Sequence, residues 1–298
     1  MRTGVLIIAG PTASGKTDLA IDLARRFDAE IVSADSRQIY RDMPTGTAAP
    51  SDAQRAAVPH HLVGFVDPGE RYSAARFSAD AVDRINDIHE RGKRAIVVGG
   101  TGFYIRALTG SVELAPQFDE GVRERLVQEA QLHDADFLYE WLAVRDPRRA
   151  AMVHARDAYR VLRALEVALA PADAMLREQP LKSLTTENIP FLKVFLDADQ
   201  AQLEGRIERR IDAMLERGLL EEAERIGGDA VAASAVGYPQ ALAYLRGWST
   251  FEELRTLLVR ATRRYAKQQA TWFRSEPDTQ WLPPLEIEQA AREKLGWL

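Results

Sequence analysis

The run Val5-Leu6-Ile7-Ile8-Ala9 is continuously apolar and stops at a glycine, the pattern of a strand buried on both faces of a parallel sheet. From Thr17 onward Leu19, Ala20, Leu23, Ala24 and Phe27 recur at helical spacing, and Glu30-Ile31-Val32-Ser33 reads as a second short strand. Together these make a βαβ unit. A further helix is predicted over Ala74 to Arg91, where Phe77, Ala81, Ile85 and Ile88 form one stripe, and it feeds the run Ala95-Ile96-Val97-Val98 before Gly99-Gly100. Strands alternating with helices predict an α/β core. After residue 114 the periodicity is helical until Phe191 to Leu196 restores a strand signal, and Gln202 to Phe273 is again mainly helical. The expected organisation is a discontinuous core, 1–114 and 184–298, interrupted by a helical insertion at 115–183. Ala115-Pro116-Gln117 and Ser183 to Pro190 are the expected entry and exit loops.

Composition narrows the class. With 46% apolar and 28% charged residues the chain is globular rather than fibrous or disordered. No apolar run approaches the roughly 20 residues that span a bilayer, and the first residues run straight into a strand, leaving no room for a signal peptide. The absence of cysteine excludes disulfides, thiolate metal sites and a cysteine nucleophile. A cytoplasmic protein with no membrane partner is the expectation. The net charge of −5 argues against non-specific coating of nucleic acid but leaves room for a local basic groove.

The chemistry begins at Gly10-Pro11-Thr12-Ala13-Ser14-Gly15-Lys16-Thr17, which matches G-x-x-x-x-G-K-[ST] between a predicted strand and a predicted helix. Glycines let backbone N–H groups converge on phosphate oxygens, Lys16 neutralises charge, and the Thr17 hydroxyl can ligate Mg²⁺. The fold class this predicts is a P-loop NTPase-like α/β core, a central parallel sheet flanked by helices, with the helical insertion added. The motif specifies a polyphosphate and does not name it. A motor or switch NTPase closes a later buried strand with a magnesium-holding acid, whereas here the run ending at Val98 continues as Gly99-Gly100-Thr101-Gly102. The second strand delivers Asp35 instead, at the carboxyl edge of the sheet. Such an aspartate can hold magnesium through water, cap a helix, or take a proton from an acceptor nucleophile.

Two helices carry basic faces. At about 100° per residue, Arg156, Arg160 and Arg163 share a side opposite Ala158, Val161, Leu162, Leu165 and Leu169. In the C-terminal helix Leu254, Leu258, Ala261, Tyr265 and Trp272 form an apolar stripe opposite Arg260, Arg263, Arg264, Lys267 and Arg274. Charge opposite an apolar stripe is usually a solvated face. Two faces of one sign in an acidic chain also suit RNA or polyphosphate. Adjacent His60 and His61 share no face, so a structural role is favoured over metal binding, and Trp272 and Trp281 read as packing aromatics.

These residues resemble the tRNA dimethylallyltransferase (tRNA isopentenyltransferase) family nearly end to end. The resemblance rests on GPTASGKT at Gly10 to Thr17, DSRQIY at Asp35 to Tyr40, Thr45-Gly46-Thr47, Pro59-His60-His61 and GGTGFY at Gly99 to Tyr104. Further on it rests on RVLRALE at Arg160 to Glu166, Met214 with Gly218 to Glu222, Val236-Gly237-Tyr238, and TRRYAKQQATWFR at Thr262 to Arg274. The chain departs from the family pattern at His154-Ala155-Arg156-Asp157 and at Gln268.

The resemblance implies transfer of a dimethylallyl group from dimethylallyl diphosphate to N6 of adenosine 37 in tRNAs that read codons starting with U, with release of diphosphate. Gly10 to Thr17 would bind the donor diphosphate with Mg²⁺ at Thr17, which accounts for the missing later acid. Asp35 would be the general base, Ser36, Arg37 and Gln38 would contact the adenine or its neighbours, and Thr101 would touch RNA near the channel. Arg210 is favoured for the diphosphate, with Arg206 in reserve. Arg123 and the segment Tyr159, Arg160, Val161, Leu162 and Arg163 would grip the anticodon stem-loop, making the insertion a clamp on a base extruded from its stack. The protein is expected to act as a monomer. The competing readings are a P-loop small-molecule or nucleotide kinase, marked by ATP or GTP binding with phosphate transfer, and an RNA-binding regulator with a vestigial loop.

Overall fold

The computed structural model describes residues 3–112, 120–170 and 181–298. The chain divides into two compact units, 1–112 with 181–298, and 113–180. The expected entry loop at 115–117 lies outside the described residues.

The first unit is built on a six-stranded sheet with every strand pair parallel, ordered β3-β2-β4-β1-β5-β6. The strands are β1 (Val5–Ala9), β2 (Ala29–Ser33), β3 (His60–His61), β4 (Arg94–Gly99), β5 (Phe191–Leu196) and β6 (Gln280–Leu282). Every side chain of β1 is buried, because β1 pairs with β4 on one side and β5 on the other. That is why its sequence is an unbroken apolar run. Two strands escaped the sequence pattern. β3 is the histidine pair, parallel to β2, and β6 lies against β5, with Trp281 packed on Phe195 at 4.1 Å between ring centroids.

Helices cover the sheet. They include α1 (Lys16–Arg26), α2 (Asp52–Ala57), α3 (Ala74–Glu90), α4 (Gly102–Thr109), α9 (Gln200–Glu216), α10 (Leu219–Ile226), α11 (Tyr238–Leu245), α12 (Phe251–Arg274) and α13 (Pro284–Leu295). The core beneath α1 and α13 joins Leu6, Ile8, Leu23, Phe27, Ile96, Val194 and Trp297. Helix α3 starts at Ser73, whose hydroxyl accepts from the Arg76 N–H, and it buries Phe77, Ala81, Ile85 and Ile88 as its spacing predicts. Helix α12 opens on a capping box between Thr250 and Glu253. Its buried line differs from the expected stripe. Leu254 and Leu258 are followed by Thr262, Ala266, Gln269 and Phe273, while Ala261, Tyr265 and Trp272 are only half-buried. Polar groups are tolerated in that line because the helix passes over the phosphate loop, where Gln269 finds partners.

In the second unit, α5 (Glu120–Leu132), α6 (Ala135–Arg145), α7 (Pro147–Ala150) and α8 (Ala158–Leu169) enclose a core of Leu126, Leu138, Leu142, Val161, Ala164 and Leu165. Asp157 caps α8 by accepting from the Arg160 N–H. Arg156 therefore precedes the helix, and only Arg160 and Arg163 of the expected basic trio lie on it.

Candidate active site

In a parallel sheet, ligands gather beyond the carboxyl ends of the strands where the order reverses direction. Here the chain leaves β1 for β2, passes through β3 and returns as β4 between β2 and β1. The segments after β1, β2 and β4 are thus neighbours, and they are the three that the sequence marks: Gly10–Thr17, Asp35–Gln38 and Gly99–Thr101.

Gly15 closes the phosphate loop in the left-handed region, at φ 88°, and α1 begins after it without a side-chain cap, so its first amides face the loop. Lys16 Nζ donates to the Pro11 carbonyl at 3.2 Å. The double glycine after β4 is required by close approach. A Cβ on Gly99 would stand 2.0 Å from the Ala34 carbonyl oxygen, and one on Gly100 would stand 2.0 Å from Gln269 Nε2.

Asp35 Oδ1 accepts from the Arg37 N–H at 2.9 Å and the Gln38 N–H at 3.3 Å. One oxygen of Asp35 thus holds the turn, and the carboxylate also lines a cavity of about 220 Å³. Its lining includes the polar Lys16, Thr17, Asp35, Gln38 and Arg210 and the apolar Met214, Leu219, Val236 and Leu258. Burial pushes Lys16 down to about 8, with Arg210 acting in the same sense and Asp35 opposing. Burial likewise lowers Arg210, again opposed by Asp35. Neither cation has an ion-pair partner within 4.0 Å among the described residues. Two desolvated cations facing one carboxylate leave a net positive site suited to an anion.

Other expected residues are brought near or held back. Arg206, kept in reserve on the sequence, donates from Nη1 to the Ser14 carbonyl of the phosphate loop at 3.0 Å. Ser36 and Arg37 line the cavity. Thr101 is outside the cavity wall; its Oγ1 accepts from the Ser36 N–H at 3.0 Å and pairs with the Tyr265 hydroxyl. In the helical unit Tyr159 is 70% exposed and Arg160 pairs with Asp157 at 3.3 Å. Val161 is buried in that unit's core and Leu162 packs against it, as their spacing opposite the arginines predicts, so of the expected RNA-gripping segment these two side chains face inward. The apolar i, i+3, i+4 rows of α8 claim them. Arg123 and Arg163 both reach the buried Glu166, at 3.2 and 2.7 Å.

Two residues escaped the sequence reading. Gln269 accepts from the Thr12 N–H at 2.8 Å and donates to the Gly100 carbonyl at 3.0 Å, tying the phosphate loop to the turn after β4. Tyr265, taken as packing, lines the cavity, and burial near Asp35 holds its hydroxyl protonated. A polar residue inside a helix's buried line was the available signal for Gln269. His60 and His61 hold no metal cluster: among the described residues there is no group of three potential ligands. His61 Nε2 instead meets Glu30 at 2.7 Å.

A parallel sheet, a strand–loop–helix phosphate cradle and unpaired cations at the switch point define a P-loop NTPase-like protein whose second-strand aspartate shares the cavity. The family model described as IPP transferase matches residues 38–276, and that described as isopentenyl transferase matches residues 3–60. A tRNA dimethylallyltransferase 2 of Geotalea uraniireducens is 43% identical over 93% of this chain and 91% of its own length. A tRNA dimethylallyltransferase of Xanthomonas oryzae is 42% identical over 100% and 95%. Among solved structures, the tRNA isopentenylpyrophosphate transferase of Bacillus halodurans superposes with a TM-score of 0.71 at 35% identity, covering 99% of this chain and 97% of that one. A eukaryotic dimethylallyltransferase caught acting on tRNA gives 0.75 at 27% identity, covering 98% and 76%. The chain belongs to the IPP transferase family, whose curated relatives are tRNA dimethylallyltransferases.

Proposed function

We propose that the protein transfers the dimethylallyl group of dimethylallyl diphosphate to N6 of adenosine 37 in tRNAs reading codons that start with U. The observation that carries this reading is that two buried cations of a phosphate cradle, a carboxylate and several apolar side chains line one cavity. Family membership weighs against the kinase reading.

In the proposed reaction the phosphate-loop amides, Lys16 and Arg210 bind the diphosphate, and Met214, Leu219, Val236 and Leu258 face the prenyl group. The N6–C1 bond forms as the C1–O bond to diphosphate breaks. Asp35, fixed by two backbone N–H groups, takes the proton from the attacking amine, so charge does not build up on nitrogen. Lys16 and Arg210 receive the negative charge arriving on the leaving group. The donor set suits Mg²⁺ shared with substrate phosphates, because Thr17 supplies one hydroxyl to the cavity and no all-protein cage exists among the described residues. Magnesium bound there would add charge neutralisation on the diphosphate. Thr101 acts behind Ser36 as a positioning residue, held in turn by Tyr265 from the cavity wall. Tyr159 and Arg160 are the exposed members of the anticodon-gripping segment, and Arg123 and Arg163 stand beside them on Glu166.

The test is incubation with labelled dimethylallyl diphosphate, Mg²⁺ and unmodified tRNA, followed by nucleoside digestion. Label in N6-(dimethylallyl)adenosine is the expected result. Phosphate transfer from ATP to a small molecule, with no prenylated nucleoside, would overturn the reading.

A further inference from the structure

Three groups far apart in the chain remain without a role in the reaction above: Thr45-Gly46-Thr47, Glu222 at the end of Gly218 to Glu222, and Tyr238 at the end of Val236-Gly237-Tyr238. In the folded protein they meet. Glu222, on α10, is 3% exposed, and both of its carboxylate oxygens accept hydrogen bonds. Oε2 accepts from the Thr45 N–H at 2.9 Å, while Oε1 accepts from the Gly46 N–H at 2.6 Å and the Tyr238 hydroxyl at 2.7 Å. No cation lies within ion-pair distance of it among the described residues. Tyr238 is fully buried, and its ring lies so close under Gly46 that a Cβ there would stand 2.6 Å from the phenol oxygen.

A buried carboxylate satisfied only by neutral donors is costly, so what it holds matters. What it holds is the loop whose carbonyls orient two side chains of the cavity. The Thr47 carbonyl accepts from Arg210 Nη2 at 3.4 Å and from Gln38 Nε2 at 3.3 Å, and the Ala48 carbonyl accepts from Gln38 Nε2 at 3.1 Å. Arg210 has no carboxylate partner, so this carbonyl is its one fixed hydrogen bond among the described residues.

We propose that Glu222, seconded by the Tyr238 hydroxyl, is a positioning residue for the diphosphate site: it clamps the Thr45–Thr47 backbone so that the Thr47 carbonyl aims the Arg210 guanidinium at the phosphates. The inference rests on the diphosphate reading of the cavity but not on the identity of the acceptor. Glu222→Gln replaces Oε2 or Oε1 with an NH₂ facing a backbone N–H, donor against donor, and the loop must shift. Tyr238→Phe keeps the ring under Gly46 and removes only one donor.

The experiment is calorimetric binding of inorganic diphosphate with Mg²⁺ to the full chain, well below each variant's Tm, paired with steady-state transfer kinetics. Glu222→Gln is expected to weaken diphosphate by about tenfold, the worth of one charge-assisted hydrogen bond, and Tyr238→Phe by about threefold. Donor KM should rise, and kcat should fall with it because Arg210 also takes the charge arriving on the leaving group. A role confined to stability would lower Tm and leave both quantities at wild-type values. Wild-type diphosphate affinity in folded Glu222→Gln overturns the proposal; if that variant does not fold, wild-type affinity in Tyr238→Phe overturns it. A wild-type protein that binds diphosphate yet prenylates no tRNA refutes the proposed function and leaves this inference standing.

Discussion

The cavity at the carboxyl edge of the sheet and the helical unit at 113–180 both carry arginine and lysine, but they treat the charge in opposite ways. In the cavity Lys16 and Arg210 are desolvated and lack ion-pair partners among the described residues, and both are pushed toward losing their protons by burial. In the helical unit Arg123 and Arg163 lie on Glu166, Arg149 on Asp146 and Arg160 on Asp157. Charge left dry and uncompensated stores a demand for an anion. Charge already paired at the surface contributes little to stability and serves by position. The C-terminal helix sides with the second case: Arg263 meets Glu208 at 2.7 Å and Arg255 meets Asp212 at 2.6 Å, so its basic face is partly neutralised by α9.

The sharpest break of this comparison is at Asp35. Asp35→Asn keeps an oxygen for the Arg37 and Gln38 amides, so the turn persists, yet turnover is expected to fall by about 10²- to 10⁴-fold with RNA affinity nearly unchanged. A loss of RNA affinity without a loss in single-turnover rate would reassign the residue to binding.

Next comes Lys16→Met. Diphosphate affinity is expected to drop by about 10²-fold while the unliganded protein gains roughly 1–2 kcal/mol at pH 7, read from denaturant titration. The pH dependence follows from the lowered pKa. Lys16 releases its proton near 8 in the folded protein against 10.5 unfolded, so the unfolded chain binds more protons between those values. Wild-type stability therefore rises with pH across that window, and the advantage of Lys16→Met shrinks from about pH 8 upward.

Smaller effects belong to the helical unit. Arg160→Ala is expected to weaken tRNA binding by about three- to tenfold and to lower the salt slope by about one, with stability within about 0.5 kcal/mol of wild type. Filter binding at several salt concentrations reads this directly. Smallest of all, Arg263→Ala removes an exposed ion pair and should move neither Tm nor diphosphate affinity measurably. A large diphosphate defect there would erase the distinction between paired and unpaired cations.

Legibility followed the length and apolarity of each segment. β1, β2, β4 and β5 could be read because four or more consecutive residues carry the pattern of a buried strand. β3 and β6 could not, since two histidines or Gln-Trp-Leu become strand only by pairing with β2 and β5. In the site, the phosphate loop was readable from spacing alone. Choosing between Arg206 and Arg210 was not, because both lie on one helix and the structure gives each a separate place, one on the Ser14 carbonyl and one inside the cavity. The burial of Val161 could be read from its spacing, because residues adjacent on a helix face different ways.

What the chain alone determined is local. Strand, left-handed glycine, lysine and hydroxyl within eight positions force a phosphate cradle at the mouth of α1, and an acid after β2 must emerge at the same sheet edge. Only the tertiary structure decided which cations would stay without partners, that Gln269 would bind the cradle from more than 250 residues away, and that Glu222 would close on the Thr45–Thr47 amides. Pairing and desolvation are set by neighbours in space, and no spacing along a chain records those.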